Sequence, residues 1–131
     1  NFFEEEFRCP CCGQVVVSMA LVQGLQALRD LVKQETRTEH RLMVTSGYRC
    51  PAHNASSTVK GAKNSEHLYG RAVDCYAVDG HGKVLNHQYL AYLASRIPVF
   101  VRGGIAAYAN HIHVDVRGRK ARWGLPWKKT A

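Results

Sequence analysis

The sequence predicts an α+β domain in which helices pack on a mostly antiparallel sheet. Three observations support this: two stretches with apolar residues at helical spacing, several short runs typical of strands, and the chain order helix, strands, helix, strands. With 131 residues, of which 46% are hydrophobic, the chain can form one core but is too short for two ordinary domains. We therefore expect one domain over residues 1–131, with an N-terminal arm at 1–15 and a basic tail at 118–131.

The first predicted helix covers residues 18–36, and the second covers residues 85–97. In each of them the apolar residues fall on one side, which indicates packing against the core. These apolar residues are Leu21, Leu25, Leu28 and Val32 in the first helix, and Leu90, Leu93 and Ile97 in the second.

Four strands are predicted from short apolar and alternating runs bounded by turn residues. The first runs into a glycine turn, and a turn at Ala109 and Asn110 separates the last two. A polar loop at 51–67 follows the first strand, and a loop of that length in a small domain is usually either mobile or functional. The predicted strands are 41–49, 69–78, 98–108 and 111–117.

Basic residues outnumber acidic ones, since 18 Lys and Arg against 10 Asp and Glu give a formal charge of +8. This excess favours an anionic partner such as nucleic acid, a cell-wall polymer or a membrane surface, although a solvated basic face is the simpler interpretation. A nucleic-acid-binding domain would interleave aromatic residues with the charges, and Trp123 and Trp127 give only thin support for one. No stretch is apolar enough to cross a bilayer, and no signal peptide is visible in the chain.

The five cysteines leave two interpretations open. Residues 9–13, CPCCG, contain a C-x-x-C that is compatible with a structural metal, but the further ligands on offer are Cys50 and distant histidines. In an exported protein, a disulfide between the arm and Cys50 would be the alternative. Cys75 lies in an apolar run, and we expect it to be a small buried side chain.

The segment HIHVDVR, residues 111–117, places polar and apolar side chains on opposite faces of a strand. Side chains alternate along a strand, so Ile112, Val114 and Val116 would face the core together. The other face carries two imidazoles and a carboxylate, which is costly unless water, hydrogen bonds or a metal satisfies them. These polar residues are His111, His113 and Asp115.

Asp74 lies within the apolar strand RAVDCYAV, and alternation places it on one face with Ala72 and Tyr76. If this strand lies beside the last one with their polar faces aligned, Asp74 and His113 converge, and His67 arrives from the preceding loop. Two imidazole nitrogens and one carboxylate oxygen leave the fourth tetrahedral position open, as a catalytic Zn²⁺ site requires.

The segments at 61–74 and 103–118 together carry a specific motif, S-x-H-x-x-G-x-A-x-D followed by H-x-H. Through them the sequence resembles the zinc D-alanyl-D-alanine carboxypeptidases, whose relatives include the vancomycin-resistance dipeptidases, the phage L-alanyl-D-glutamate endopeptidases and the hedgehog signalling domain. The resemblance implies a hedgehog-like DD-peptidase fold, and FEEEFRCPCCG near the start resembles the lead of a small single-domain branch. The segments that carry the resemblance are SGYRCPAHN at 46–54, GAKNSEHLYGRAVD at 61–74 and GGIAAYANHIHVDVRG at 103–118, with ARW at 121–123.

Carried over position by position, the resemblance implies that His67, Asp74 and His113 are the zinc ligands. Arg49 corresponds to an arginine that relatives place beside the metal, where a guanidinium can stabilise substrate or transition-state charge. His111 corresponds to the first histidine of the H-x-H, which relatives keep close to the metal-bound water, so it would transfer protons.

Three further residues are expected around the pocket. Ser65 and Tyr48 would shape it or orient ligands, or else would simply pack within their loops. Asp115 would hydrogen-bond His111 and orient it, or else form a salt bridge to Arg71 or Arg117.

The sequence departs from the family pattern at one point. The dipeptidase and hedgehog branches carry a glutamate shortly before the last ligand, and the dipeptidases use it as catalytic base, but residues 103–112 contain no acid. The base would then be His111, another group, or absent. The resemblance implies a zinc peptidase acting on peptidoglycan stem or cross-link peptides with D-amino acids, as a D-alanyl-D-alanine carboxypeptidase or an endopeptidase. The alternative is a catalytically impaired zinc module of the same fold that binds the cell wall or a protein.

The expected partners are peptidoglycan peptides, with no membrane insertion and no nucleic acid, and the expected state is a monomer. The expected location is the bacterial periplasm or cell wall, or the wall as reached by a phage lysis protein.

Overall fold

The computed structural model describes residues 2–56, 61–62 and 65–131, and it has the predicted α+β architecture. Its strands are β1 (His40–Ser46), β2 (Ala72–Asp79), β3 (Gly104–Ala107), β4 (Ile112–Asp115) and β5 (Ala121–Gly124). They form one sheet in the order β1-β2-β4-β3-β5. Neighbouring strands are antiparallel except for β3 and β5, which run parallel. The prediction of a mostly antiparallel sheet is therefore confirmed.

The helices are α1 (Met19–Thr36), α2 (Pro51–Ala55), α3 (His87–Ala94) and α4 (Pro98–Val101), with short 3-10 helices at Glu4–Phe7 and Glu66–Tyr69. Helices α1 and α3 contact each other and cover the apolar face of the sheet. All seven apolar residues predicted for the two helical stripes are buried. Among the described residues, none of these helices is long and apolar enough to cross a membrane.

The core lies between these helices and the inward-facing strand residues. Leu42 on β1, Val73 and Cys75 on β2, and Ile112 and Val114 on β4 all point into it. Because side chains alternate along a strand, the residues between them project from the opposite face. The face of the sheet that is not covered by α1 and α3 therefore carries Asp74 and His113.

Two predicted elements differ from the structure in extent. The predicted strand at 98–108 begins as a helix, α4, because Pro98 occupies its first turn, where a fixed φ and a missing N–H suit a helix start. The second helix ends at Ala94 rather than at Ile97, although Ile97 remains buried beyond it.

The predicted polar loop at 51–67 contains helix α2 and the start of a 3-10 helix. Pro51 begins α2, so a segment that looked irregular from its polar composition has local order. Positions 57–60 and 63–64 of this predicted loop lie outside the described residues.

The predicted basic tail contains a strand. β5 lies beside β3, and Leu125 donates a backbone hydrogen bond to Ala107 beyond its end, at 2.7 Å. Gly124 has φ +88°, a conformation that L side chains rarely adopt, so the chain can turn there against Ala107. The strand brings Trp123 onto the sheet next to the polar face described above.

The core packing predicts a clear difference between two positions on α1. Leu25 is fully buried, so Leu25→Ala should lower the free energy of unfolding by about 2–5 kcal/mol through lost burial and a cavity. The control is Met19→Ala at the exposed start of the same helix, which should change it by no more than about 0.5 kcal/mol. Urea denaturation followed by circular dichroism measures both. Equal effects from the two variants would contradict the packing of α1 against the sheet.

Candidate metal centre

Strands β2 and β4 bring two predicted site residues face to face. Their register pairs Asp74 with His113, and His113 Nδ1 lies 3.2 Å from Asp74 Oδ1. The pairing of β1 with β2 is irregular between Val44 and Ser46, next to Asp74, as is common where a sheet edge is reshaped near a functional site. The second and the last predicted strands therefore lie side by side, with Asp74 opposite His113.

His67 reaches the same point from the 3-10 helix. Ser65 caps that helix, since its side chain accepts the backbone N–H of His67 at 3.2 Å. His67 Nδ1 lies 2.8 Å from the Gly47 carbonyl oxygen, which can only accept, so this nitrogen carries the proton. The other nitrogen, Nε2, is therefore left with a free lone pair. It is buried 3.3 Å from Asp74 Oδ1 and has no hydrogen-bond partner among the described residues.

Asp74 is the common neighbour of these groups. Besides the two imidazoles, its Oδ2 lies 3.1 Å from Arg49 Nη2. Burial alone would raise the pKa of Asp74, but His113 and His67 beside it hold that pKa far below its usual range. Asp74 is therefore an ionised carboxylate at neutral pH.

A second carboxylate fixes the orientation of His113. Asp115 is fully buried, and its Oδ2 lies 2.7 Å from His113 Nε2. It also accepts hydrogen bonds from the Gly104 backbone N–H at 2.7 Å and from Arg117 Nη2 at 2.7 Å. Burial would raise the pKa of Asp115, but His113 and Arg117 keep it well below its usual range. The proton of His113 is thus held at Nε2, and Nδ1 is left facing Asp74.

This arrangement corrects one expectation about Asp115. The carboxylate orients His113 and not His111, because it lies two residues after His113 on the same face of β4. Its guanidinium partner is Arg117, whereas Arg71 pairs with Glu66 at 3.1 Å.

His67, Asp74 and His113 fit a divalent metal ion. One donor atom from each lies within 4.8 Å of the others, and two imidazole nitrogens with a carboxylate oxygen are a donor set that zinc prefers. The buried, unpartnered Nε2 of His67 is difficult to explain in a folded protein without a further ligand. The pKa of His113 is raised, because Asp115 and Asp74 together outweigh its burial, and a site that attracts a proton in this way also attracts a metal cation.

The cluster lies in an open cleft of about 480 Å³. Arg49 and Ser65 line it, and Glu66 adds a carboxylate. The described lining residues are Arg49, Gly61, Ala62, Ser65, Glu66, His67, Asp74, Tyr108, His111, His113, Arg117 and Trp123.

His111 stands beside the cluster rather than within it. Its Nε2 lies 3.9 Å from Asp74 Oδ2, and its Nδ1 lies 2.6 Å from Asn110 Oδ1. Partial burial lowers the pKa of His111, although Asp74 opposes that shift. If Nδ1 donates to Asn110, the neutral ring presents a free Nε2 to the cleft, and such a nitrogen can accept a proton.

Tyr48 does not line the cleft in the described structure, contrary to expectation. Its backbone N–H is bonded to Phe7 on the arm, and its pKa is raised by burial and by the neighbouring Cys12, Cys50 and Cys9 thiols. The strand alternation that placed His113 correctly says nothing about Tyr48, which lies beyond the end of β1.

Two aromatic residues of the cleft, Tyr108 and Trp123, were not assigned to it from the sequence. The Tyr108 ring stacks on His111 with centroids 4.7 Å apart, and Trp123 Nε1 donates to the Tyr108 hydroxyl at 2.6 Å. The Trp123 ring also lies 5.0 Å from the His113 ring. Asn110, which was expected only in a turn, contacts His111. Trp123 ends the ARW segment that carries part of the resemblance, but its place at the cleft depends on the pairing of β5 with β3.

An α+β domain with two histidines and an aspartate converging in an open cleft has the architecture of a metal-dependent hydrolase. A family model described as Peptidase M15 matches residues 1–115, and the chain belongs to the Peptidase M15 family. This confirms the resemblance to the zinc D-alanyl-D-alanine carboxypeptidases. A comparison with curated proteins found no match. The family is zinc-dependent, and membership supports a metallopeptidase that acts on peptides.

The contact between Asp115 and His113 predicts an effect on metal affinity. Asp115→Asn removes the charge that holds the His113 proton at Nε2, so zinc affinity should fall by about 10- to 100-fold. Competition with a chromophoric chelator measures it. The control is Asp30→Asn, which removes an exposed carboxylate on α1 and should leave the affinity unchanged. Unchanged affinity in a folded Asp115→Asn variant would show that this carboxylate does not support the ligand.

Proposed function

We propose that this protein is a zinc metallopeptidase that hydrolyses peptidoglycan peptides containing D-amino acids, as a D-alanyl-D-alanine carboxypeptidase. The observation that carries the proposal is the convergence of His67, Asp74 and His113 at an open cleft, with the buried Nε2 of His67 left unpartnered among the described residues. Those three residues would hold the ion. Bound there, Zn²⁺ would supply Lewis acidity towards water and towards the scissile carbonyl.

The surrounding residues supply the remaining functions. His111, which presents Nε2 to the cleft, accepts the proton of the attacking water and returns it to the leaving amine. Arg49 lies 3.1 Å from Asp74, so its guanidinium places positive charge where the carbonyl oxygen becomes negative. The products are a shortened stem peptide and free D-alanine, and no covalent enzyme intermediate is required.

The substrate class rests on the family resemblance and on charge. A carboxypeptidase must bind a terminal carboxylate, and Arg49 is a cleft residue whose fork of donors suits one. The net charge of +8 favours approach to an anionic wall polymer. We therefore place its action at the bacterial cell wall, whether it serves the bacterium or a phage.

A second candidate function is a zinc-containing binding module without turnover. It is favoured by the absence of any acid in residues 103–112, where relatives carry a catalytic glutamate. Glu66 lines the cleft, but its carboxylate is engaged in an ion pair with Arg71 at 3.1 Å.

Incubation with purified muropeptides separates the two functions. We expect release of D-alanine from pentapeptide stems, detected by liquid chromatography and mass spectrometry, because the cleft is open and a proton acceptor is present. A chelator should stop the release, and added zinc should restore it. Stoichiometric zinc with no product from stems or cross-links would favour the binding module.

The role of His111 predicts a variant that keeps the metal but not turnover. His111→Ala should retain one zinc at the His67 site, while kcat falls by about 10²- to 10⁴-fold, as expected for loss of a general base. His81→Ala is the matched control, because His81 is exposed in a turn away from the cleft. Full activity of His111→Ala, together with loss of activity in Glu66→Gln, would identify Glu66 and not His111 as the general base.

A further inference from the structure

Four of the five cysteines gather where the N-terminal arm meets the chain after β1. One sulfur each from Cys9, Cys12 and Cys50 lies within 4.8 Å of the others. Cys11, between Cys9 and Cys12 in the chain, is exposed. None of these cysteines is disulfide-bonded, and the fifth, Cys75, is buried elsewhere in the core.

The backbone around Cys9 is folded into a closed turn. The Cys9 N–H donates to the Gln14 carbonyl at 2.9 Å, and the Gly13 N–H donates to the Cys9 carbonyl at 2.9 Å. Gly13 has φ +75°, so a glycine suits this turn. As a result, Cys9 and Cys12 face the same point, as the ends of a C-x-x-C do in metal-binding turns.

Cys9 is also prepared to act as a thiolate. The Cys50 backbone N–H lies 3.4 Å from its sulfur in hydrogen-bond geometry. Hydrogen bonds from backbone N–H groups to sulfur are the usual surroundings of metal-binding thiolates.

We propose that Cys9, Cys12 and Cys50 bind a second, structural zinc ion, and the neighbouring Cys11 is the thiol available for the fourth position. In a tetrahedral site with Zn–S bonds of about 2.3 Å, the sulfurs lie about 3.8 Å apart, which fits the observed cluster. Each thiol releases its proton to solvent as it binds. The site is distinct from the His67, Asp74 and His113 cluster and does not depend on the proposed peptidase function.

Three or four convergent thiols suit a metal better than a disulfide, because a disulfide joins only two of them. The metal would also close the chain between position 9 and position 50, and this restricts the unfolded state as a cross-link does. The arm already contacts this region, since Tyr48 donates its N–H to the Phe7 carbonyl at 3.0 Å. The thiolate site would therefore hold in place the segment that carries Arg49 into the cleft.

Metal analysis of the protein, purified under reducing conditions and loaded with zinc, tests the proposal. We expect two zinc ions per chain in the wild type. Cys9→Ser and Cys50→Ser should each bind one, and His67→Ala should also bind one by losing the other ion. Cys75→Ala removes the thiol outside the cluster and should still bind two.

Cobalt substitution reports on the ligands in the wild-type protein itself. The wild-type spectrum therefore tests the proposal even where a variant fails to fold. Thiolate coordination gives a strong sulfur-to-cobalt charge-transfer absorption, which should persist in His67→Ala and vanish in Cys9→Ser. Cys11→Ser should weaken this absorption, which distinguishes a four-sulfur site from a three-sulfur one. One zinc ion in the reduced wild type, without thiolate absorption, would overturn the proposal. So would a native disulfide joining Cys9 to Cys50, found by mass spectrometry before reduction.

These experiments can contradict the peptidase site and the thiolate site independently of each other. If the peptidase site is wrong, His67→Ala will leave the metal content unchanged while the thiolate absorption remains. If the thiolate site is wrong, the chain will bind a single ion, and His67→Ala will abolish it.

Discussion

The whole site depends on a buried carboxylate on an inner strand of the sheet. Asp74 lies on β2 between two neighbouring strands, and it is ionised although it is largely buried. A charge in that position is costly unless it is compensated; here Arg49 pairs with it, and nitrogens of His67 and His113 lie within 3.3 Å of it. Each partner comes from a different part of the chain. Any shift of β2 relative to its neighbours would therefore disperse the cluster, and the sheet must be complete before the site exists.

A second buried carboxylate, that of Asp115, orients an imidazole that faces Asp74. Asp115 holds one nitrogen of His113, so the other nitrogen faces Asp74. It is held in turn by Arg117 and by the backbone of Gly104. A Cβ at Gly104 would lie 2.2 Å from Asp115 Oδ2, so the glycine at the start of β3 leaves room for this carboxylate. Gly104 thus serves the geometry of a side chain on the next strand.

The sequence was sufficient to predict the parts of the site that depend on strand alternation. The period of two along HIHVDVR and RAVDCYAV placed His113 and Asp74 on the polar face, and the register then paired them. Alternation could not show which histidine Asp115 would contact, because His111 and His113 share its face and side-chain reach decides between them. It also could not detect β5, since ARWG has a basic and glycine-rich composition that is typical of a solvated tail. That strand is fixed by its pairing with β3, which is a long-range interaction, and its position brings Trp123 to the cleft.

The N-terminal arm influences the site by packing against Gly47, a residue just after β1. Its carbonyl oxygen accepts from His67 Nδ1 and so determines which nitrogen of that imidazole remains free. A Cβ at Gly47 would lie 2.6 Å from the Phe7 backbone, so the arm packs directly against this residue. Phe7 is itself buried in the core. Position 47 is therefore held between the arm on one side and an expected metal ligand on the other. The zinc ion proposed for the cysteine cluster would join the arm to the chain just beyond Gly47. Such a link would fix the orientation of His67 from outside the cleft. A fixed imidazole loses less entropy when it binds an ion.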